Sequence, residues 1–365
     1  MLTPIIKYPG GKTRELPVIL TNLPKKIKRY YEPFVGAGAV YFAICQDIPN
    51  KLINDKSSDL INLYLTIRKQ DPDFYQLVNQ MINNWQKADL VAHKVMPYLW
   101  QKLQTTDTVQ TVDAFNCPVV KGNLADNFTD SDKFNYFLLL CVKRKFNYSL
   151  KQKARKFTQT DFTAIMTTAY KSAVYMYYRD LYNCQQTSTQ GQRAALYLFL
   201  RQYAYNSMFR FSKAGNFNVP YGGQSYNNIS LKTKLDYYQS ATLIKALAET
   251  TITNLDFSDF LTKYPPEEDD FLFIDPPYDS AFSQYDQLPF DKIAQTKLAT
   301  ILIKEIVANW MVVISDTPLI RKLYPIDMQT ANGNKVKVQD FNKVYSTNFK
   351  NRNQRKTKLL LITNY

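Results

Sequence analysis

The segment FLFIDPPYDS, residues 271–280, restricts the fold more than any other stretch of the chain. The apolar run Phe271 to Ile274 predicts a short buried strand. Pro276 and Pro277 end that strand, because a proline has no N–H group to donate to a neighbouring strand. Asp275 therefore stands at the carboxyl end of a strand, which is where open α/β sheets bind their ligands.

The order of apolar patterns along the chain predicts how this strand is embedded. KRYYEPFVGAGAVYFAI and NKLINDKSSDLINLYLTIRK each predict a strand, a turn and a helix, and two such units in succession indicate a parallel sheet. The middle of the chain is rich in Tyr, Asn, Gln and Lys and has helical periodicity, as in AALYLFLRQYAYNSMF. We therefore expect an α/β domain, residues 1–71 and 251–365, interrupted by a largely helical domain over residues 72–250.

Composition narrows the class of function. The 365 residues include 46 Lys and Arg against 31 Asp and Glu, a formal charge of +15, together with 27 Tyr and 22 Phe. Positive charge with many aromatic rings suits a polyanion whose bases stack on rings, although many basic proteins bind no nucleic acid. A single histidine, His93, argues against a histidine triad or a His-rich metal site.

Two further patterns bear on location and on cysteine chemistry. Neither a long apolar stretch nor a signal-peptide pattern is found, so we expect a cytoplasmic protein with no membrane partner. The four cysteines are widely spaced and form no CxxC pair, which favours neither a disulfide framework nor a zinc site. We expect no bound metal, and we expect the cysteines to be buried free thiols.

A glycine loop and an acid predict a nucleoside site. EPFVGAGAV places Gly36 and Gly38 after a predicted strand, where the missing Cβ lets the backbone approach a ligand. Asp55 follows the next strand about 20 residues later, a position from which an acid accepts ribose hydroxyls. An ordinary tight turn is the alternative for the glycines alone. Because neither a full GxGxxG nor a GxxxxGK[ST] motif is present, a nucleoside without a diphosphate is favoured.

A second glycine pair lies in IKYPGGK near the amino terminus. Gly10 and Gly11 can form a turn, with Lys12 meeting a cofactor carboxylate and Lys7 meeting DNA. The alternative is a surface turn with solvated lysines.

The DPPY segment suits one particular chemistry. An exocyclic aromatic amine, such as that of adenine, is a weak nucleophile because its lone pair is delocalised into the ring. If Asp275 and the Pro276 carbonyl accept its two N–H groups, the lone pair is redirected toward an electrophile such as a methyl sulfonium. Tyr278 can stack on the base. The alternative is a proline-stopped strand followed by a capping acid, which the upstream glycine loop and Asp55 disfavour.

With these motifs in this order, the chain resembles the Dam-type N6-adenine DNA methyltransferases. KYPGGK resembles their amino-terminal segment, EPFVGAGAV their S-adenosylmethionine loop, LDFSDFL the segment beside the cofactor adenine, and DPPY their catalytic motif. The resemblance implies a Rossmann-like α/β S-adenosylmethionine-dependent methyltransferase domain with an inserted, mostly helical DNA target-recognition domain. It also implies base flipping, a catalytic group and a cofactor site. The catalytic group is Asp275, Pro276, Pro277 and Tyr278; the cofactor-binding residues are Tyr8, Gly10, Gly11, Lys12, Glu32, Pro33, Phe34, Gly36, Gly38, Asp55, Asp256, Phe257 and Asp275.

A separate segment predicts DNA reading. YNSMFRFSKAGNFNVPYGG, residues 205–223, combines a hairpin-like turn with an arginine suited to guanine, an asparagine suited to adenine or phosphate, and a tyrosine able to wedge into a base stack. It resembles the recognition hairpin of Dam-type enzymes. Two basic runs, residues 143–156 and 350–358, predict phosphate contacts, with solvated faces as the alternative. The expected DNA-binding residues are Lys7, Lys143, Arg144, Tyr205, Asn206, Met208, Arg210, Pro220, Arg352 and Arg355.

We therefore expect an enzyme that methylates the N6 of a flipped adenine in double-stranded DNA, either beside a cognate restriction endonuclease or in phage or host methylation. Met208 stands where Dam-type enzymes often carry leucine, so GATC is only one of several targets open to this framework. One alternative is the same chemistry on RNA or a protein amide; Asp275 disfavours it, because those relatives more often carry asparagine there. A catalytically lost DNA-binding protein is another alternative, and the role of residues 72–190 stays open.

Overall fold

The computed structural model describes residues 2–8, 10–153, 157–184, 189–277, 290–344 and 356–365. The chain divides into two compact units. Unit 1 is formed by Met1–Lys69 and Tyr238–Tyr365, and unit 2 by Gln70–Tyr237.

Unit 1 contains a sheet of seven described strands. Its strands are β1 (Arg29–Glu32), β2 (Asn50–Asn54), β3 (Thr250–Thr253), β4 (Phe271–Ile274), β5 (Asn309–Ser315), β6 (Lys337–Val344) and β7 (Lys356–Thr363). Their order is β3-β2-β1-β4-β5-β7-β6. Neighbouring strands from β3 to β5 in this order pair in parallel, whereas β7 runs antiparallel to both β5 and β6. The predicted strand before Asp275 and the α/β fold are confirmed.

Helices surround this sheet and make up most of unit 2. In chain order they are α1 (Leu16–Thr21), α2 (Ala39–Ile44), α3 (Ser58–Lys69), α4 (Pro72–Thr105), α5 (Pro118–Lys121), α6 (Ser131–Gln152), α7 (Gln159–Asn183), α8 (Gln190–Tyr203), α9 (Lys232–Tyr238), α10 (Ala241–Ala248), α11 (Phe257–Lys263), α12 (Lys292–Lys304) and α13 (Pro318–Leu323). None of those in the described ranges combines the length and apolar character needed to cross a bilayer.

The carboxyl-side boundary between the units differs from the sequence expectation. We expected the middle domain to continue to residue 250, but α10 belongs to unit 1. α10 packs against α3 and β3 of unit 1, and the Tyr41 hydroxyl of α2 donates to the Ala246 carbonyl of α10 over 3.1 Å. The Tyr41 hydroxyl also lies 2.7 Å from the Thr250 hydroxyl at the start of β3.

The strand order creates the crevice at which the site is built. From β1 the chain passes to β2 on one side, whereas β4 lies on the other side and leads to β5. The carboxyl ends of β1 and β4 therefore meet at a topological switch point, where open α/β sheets bind ligands. The four residues of β4 are buried, and α12 packs Leu298 and Leu302 into the same core. This packing holds the end of β4 rigidly.

Unit 2 has an aromatic helical core. Trp85 of α4 stacks on Tyr203 of α8 with ring centroids 4.1 Å apart. Tyr175 of α7 and Phe199 of α8 stack beside them at 6.3 Å. Among the described residues of this unit there are no strands, only isolated bridges between Ala204 and Tyr221 and between Phe211 and Phe217.

The cysteines are only partly as expected. Cys45 and Cys141 are buried and Cys117 is partly exposed, but Cys184 is exposed. The expectation of a buried thiol is therefore wrong for Cys184. It caps the carboxyl end of α7, where the chain leaves the helical core.

Candidate active site

The glycine loop after β1 requires its glycines. Gly36 and Gly38 have φ of +50° and +79°, in the left-handed region that disfavours a side chain. A Cβ at Gly38 would lie 2.6 Å from the hydroxyl of Tyr64 and 2.7 Å from the ring of Phe42, both buried. The Tyr64 hydroxyl also donates to the Gly36 carbonyl over 3.0 Å. The loop is thus held close to α2 and α3.

Asp55 joins this loop to the end of β2. Its Oδ2 accepts the Gly36 N–H over 3.0 Å, and its Oδ1 accepts the Ser57 N–H over 2.9 Å. Asp55 is half-buried, and a carboxylate offers about four acceptor positions. Asp55 therefore orders the glycine loop after β1 from the end of β2.

Asp275 is paired with a buried cation. The ammonium of Lys12 forms an ion pair with Asp275 Oδ1 and donates to the Gly10 carbonyl over 3.2 Å. The side chains of Lys12 and Asp275 are 2% and 19% exposed. We expected Lys12 to meet a cofactor carboxylate and did not predict this ion pair, whose partners lie 263 positions apart.

Tyr8 and Gly11 complete the amino-terminal contacts. The Tyr8 ring lies over Gly36, at 3.4 Å from where a Cβ would stand. Gly11 donates its N–H to the Tyr8 carbonyl over 3.2 Å. The segment of residues 7–12 therefore contacts both the glycine loop after β1 and the acid after β4.

Glu32 is a buried acid at the end of β1, 2% exposed. The Tyr30 hydroxyl donates to Glu32 Oε2 over 2.7 Å. Burial raises the pKa of Glu32 well above its ordinary value; the hydrogen bond from Tyr30 opposes this shift, and the negative charge of Asp275 adds to it. The uncharged form of Glu32 is favoured in this position.

An aromatic cluster lies beside the loop. The rings of Phe34, Phe257 and Phe290 are 5.5–5.7 Å apart, and only Phe34 is appreciably exposed. Pro33, before Phe34, is buried, and its carbonyl accepts from Asn54 Nδ2 over 3.1 Å.

Asp256 caps α11 beside this cluster. It accepts the Ser258 N–H over 3.1 Å and lies 3.2 Å from the Lys56 ammonium. Burial favours a higher pKa for Asp256, but these hydrogen bonds and the charge of Lys56 together hold it below the ordinary value. Asp256 therefore carries its charge at the edge of an aromatic surface.

The Asp-Pro-Pro turn is described as far as Pro277. Pro276 is buried and Pro277 is exposed, whereas Tyr278 lies outside the described residues. Gln295 of α12 donates from Nε2 to the Pro277 carbonyl over 2.9 Å. Sequence reasoning did not identify Gln295, because it reads as one polar position of an amphipathic helix.

The predicted reading segment of unit 2 is an antiparallel hairpin. Arg210 and Asn218 face each other, with the Asn218 N–H donating to the Arg210 carbonyl over 3.1 Å. The Arg210 side chain is exposed, and its Nε donates to Asn218 Oδ1 over 3.0 Å. Within the described ranges no acidic side chain forms an ion pair with Arg210.

The turn before the hairpin has an unfavourable backbone conformation and is hydrogen-bonded to a buried arginine. Asn206 and Ser207 have φ of +52° and +51°, which non-glycine residues rarely adopt. Arg201, 1% exposed, donates from Nη1 to the Ser207 carbonyl over 3.4 Å and lies 4.2 Å from the Phe209 ring centroid. Sequence reasoning missed Arg201, since a helical arginine is usually a surface residue.

The other expected DNA-binding residues lie as follows. Tyr205 and Pro220 are exposed and joined by a 2.9 Å hydrogen bond from the Tyr205 N–H to the Pro220 carbonyl. Exposed or half-exposed positions are also occupied by Lys7, Lys143, Arg144, Asn206 and Met208. Arg352 and Arg355 lie outside the described residues.

The fold and the site together define an α/β protein with a mostly parallel, Rossmann-like sheet and with an acid and two prolines at the switch point. The chain belongs to the D12 class of N6 adenine-specific DNA methyltransferases, whose family model matches residues 8–110 and 129–339.

Individual relatives agree with this family. The chain is similar to the type II methyltransferase M.MjaIII of Methanocaldococcus jannaschii, with 26% identity over 81% of this chain and 78% of that one. It is 22% identical to the type II methyltransferase M.CviBI of Paramecium bursaria Chlorella virus NC1A, over 88% and 86% of the two chains. It is 25% identical to the Retron Ec67 DNA adenine methylase of Escherichia coli, over 88% and 81%.

The expected class of enzyme is thereby confirmed. The protein is an adenine-specific DNA methyltransferase, its substrate is DNA, and its reaction requires a methyl donor.

Proposed function

We propose that this protein takes the methyl group from S-adenosylmethionine and transfers it to the N6 of an adenine flipped out of double-stranded DNA at a specific sequence. The observation that carries the proposal is the position of Asp275. It follows β4 at the switch point, is paired with buried Lys12, and is joined through residues 7–12 to the glycine loop.

The residues of unit 1 fit the proposed cofactor. Asp55 has acceptor capacity for ribose hydroxyls, Phe34 offers a partly exposed ring backed by Phe257, and Asp256 supplies an acceptor beside it. A Cβ at Gly10 would meet no atom of the described residues within 4 Å, which leaves room beside this turn. The residues proposed to hold the cofactor are Tyr8, Gly10, Gly11, Lys12, Glu32, Pro33, Phe34, Gly36, Gly38, Asp55, Asp256, Phe257 and Asp275.

The chemistry assigned to the protein is that of orienting a weak nucleophile. S-adenosylmethionine supplies, when bound, an electrophilic methyl group. The Asp275 carboxylate and the Pro276 carbonyl accept the two N–H groups of adenine N6, which directs the nitrogen lone pair out of the ring plane. Lys12, in its ion pair with Asp275, holds this carboxylate in place to accept the N6 hydrogen bond. Asp275 is the group that takes up the released proton, and Tyr278 stacks on the base.

Residues of unit 2 are proposed to read the duplex. Arg210, oriented by Asn218, suits the O6 and N7 of guanine, and Asn206 suits adenine or a phosphate. Tyr205 is exposed and can occupy the space left by a flipped base. The proposed remaining contacts, mostly to phosphates, are those of Lys7, Lys143, Arg144, Met208, Pro220, Arg352 and Arg355.

The names of the relatives support a proposal about the biological role. Two of them are named type II methyltransferases. We therefore propose that this protein modifies the site cut by a cognate restriction endonuclease.

Incubation with tritiated S-adenosylmethionine and unmethylated duplex DNA tests the proposal. After digestion to nucleosides, we expect the label in N6-methyladenine. Asp275→Ala should abolish transfer while leaving cofactor binding, measured by equilibrium dialysis, largely intact, because Asp275 is one of many residues proposed to hold the cofactor; Asp269→Asn, at an exposed position of unit 1, is the control. No label in the DNA would contradict the proposed substrate, and complete loss of cofactor binding in Asp275→Ala would contradict the proposed catalytic role of Asp275.

A further inference from the structure

Gln295 is a buried amide attached to the catalytic turn. Its side chain is fully buried on α12, and its Nε2 donates to the Pro277 carbonyl over 2.9 Å. In the described part of the chain, the buried Gln295 Oε1 accepts no hydrogen bond. A half-satisfied amide is an expensive group to bury.

Packing alone does not account for this amide. Gln295 lies on the buried stripe of α12 with Leu298, Ala299 and Leu302, at the spacing of one helix face. An apolar residue would fill this stripe without the cost of desolvating an amide. The polar group is therefore best explained by what it binds, the carbonyl of Pro277.

The two prolines of the turn have few backbone groups that can form hydrogen bonds. Pro276 and Pro277 have no N–H groups, so their carbonyls are the only backbone groups through which the two residues can be hydrogen-bonded. The ring of Pro277 restricts its φ, but its ψ is free to rotate unless the following peptide is held. The bond from Gln295 holds the oxygen of that peptide and so restricts ψ.

We propose that Gln295 is a positioning residue, which anchors the Pro277 carbonyl to α12 and thereby fixes the Asp-Pro-Pro turn that presents Asp275 and the Pro276 carbonyl to the adenine amine. The inference rests on the proposed role of this turn in catalysis. The proposed role requires a hydrogen-bond donor at position 295. Gln295 acts through the turn and does not contact the substrate.

Two substitutions separate the donor from the volume of the side chain. Gln295→Met keeps a similar volume and has no donor at any pH. Gln295→Glu has no donor when ionised, but when protonated its O–H can donate to the Pro277 carbonyl. Because burial disfavours a carboxylate, the protonated form extends toward neutral pH.

The measurement is the single-turnover rate of methyl transfer between pH 5.5 and 9, divided at each pH by the wild-type rate. We expect Gln295→Met to be roughly tenfold slower at every pH, the effect of losing one hydrogen bond to the turn. We expect Gln295→Glu to be at least as slow as Gln295→Met at pH 9. Its rate relative to the wild type should rise toward 1 as the pH falls. Substrate KM and cofactor affinity should change little, and Thr300→Val, at an exposed position on α12, should match the wild type.

The outcomes distinguish the inference from the proposed function. A pH-independent ratio for Gln295→Glu would overturn the requirement for a donor. If that variant does not fold, Gln295→Met decides: a lower rate per folded molecule supports the inference, and a wild-type rate per folded molecule overturns it. If the wild type forms no N6-methyladenine, the proposed function fails first.

Discussion

Asp275 is paired with Lys12, a residue far from it in sequence. Replacing Lys12 with methionine leaves a carboxylate only 19% exposed without its cation. We expect a loss of about 3 kcal/mol in the free energy of unfolding, together with loss of methyl transfer. The double variant Lys12→Met/Asp275→Asn should recover much of the stability and none of the activity.

Urea denaturation at constant pH measures these energies, and Lys7→Met, at an exposed lysine in the same segment, is the matched control. Additive effects of the Lys12 and Asp275 substitutions would mean that the ion pair contributes nothing.

Glu32 makes stability depend on pH. Because folding raises its pKa above the ordinary 4.5, the folded state binds the proton more tightly than the unfolded state. The stability from Glu32 is therefore fully present below pH 4.5 and is lost as the pH rises toward the folded pKa. Glu32→Gln should remove this loss, so the variant gains stability relative to the wild type as the pH increases.

Unfolding free energies measured between pH 4.5 and 8 check the prediction for Glu32. Glu268→Gln, at an exposed position of unit 1, makes the same change of charge. A constant difference between Glu32→Gln and the wild type across this range would show that Glu32 does not titrate differently on folding.

At the scale of elements, the loop between β1 and α2 depends on Gly38. Alanine there requires a left-handed conformation and a Cβ that collides with buried Tyr64 and Phe42. We expect Gly38→Ala to lower the free energy of unfolding by about 3 kcal/mol and to weaken cofactor binding.

Gly10→Ala is the matched substitution, because φ of Gly10 is +81° but no described atom lies within 4 Å of a new Cβ. Its cost should be about 1 kcal/mol, from the backbone alone. Equal losses of stability in thermal or urea unfolding would rule out the steric component at Gly38.

The hairpin of residues 205–223, proposed to read DNA, should lose discrimination when Arg210 loses its bond to Asn218. Asn218→Ala removes the acceptor of the Arg210 Nε–H and leaves the guanidinium free to rotate. The measured quantity is kcat/KM for the preferred site divided by kcat/KM for a site with one substituted base pair. We expect this ratio to fall roughly fivefold, which corresponds to about 1 kcal/mol. Asn216→Ala in the same hairpin is the control, and an unchanged ratio between the two sites would exclude Arg210 as a base reader.

At the scale of the whole molecule, the formal charge of +15 predicts DNA binding that weakens with salt. Each phosphate contact contributes about 0.9 to the slope of log K against log salt concentration. Lys143→Gln and Arg144→Gln together should therefore reduce the slope by roughly 2, without changing sequence preference.

Fluorescence anisotropy with a labelled duplex measures this slope. Lys245→Gln, at an exposed lysine of unit 1, is the control for a change in net charge alone. A slope reduced equally by the control would mean that α6 makes no particular phosphate contacts.

Local patterns in the sequence determined the strand before Asp275, the glycine turns and the family of this protein. The buried run of β4 and its termination by Pro276 depend on a few adjacent residues, and so do the turns at Gly36 and Gly38. The family followed from these motifs and their order, because each carries a chemical requirement that can be recognised without knowing its neighbours in space.

Only the tertiary structure decided which distant groups meet. α10 packs in unit 1 and is hydrogen-bonded by Tyr41, the charge partner of Asp275 is Lys12, and the carbonyl of Pro277 is bound by Gln295. None of these contacts follows from hydrophobic periodicity, which reports the buried face of an element but not the element that covers it. The physical reason is that burial is encoded locally, whereas partners are selected by the packing of the whole chain.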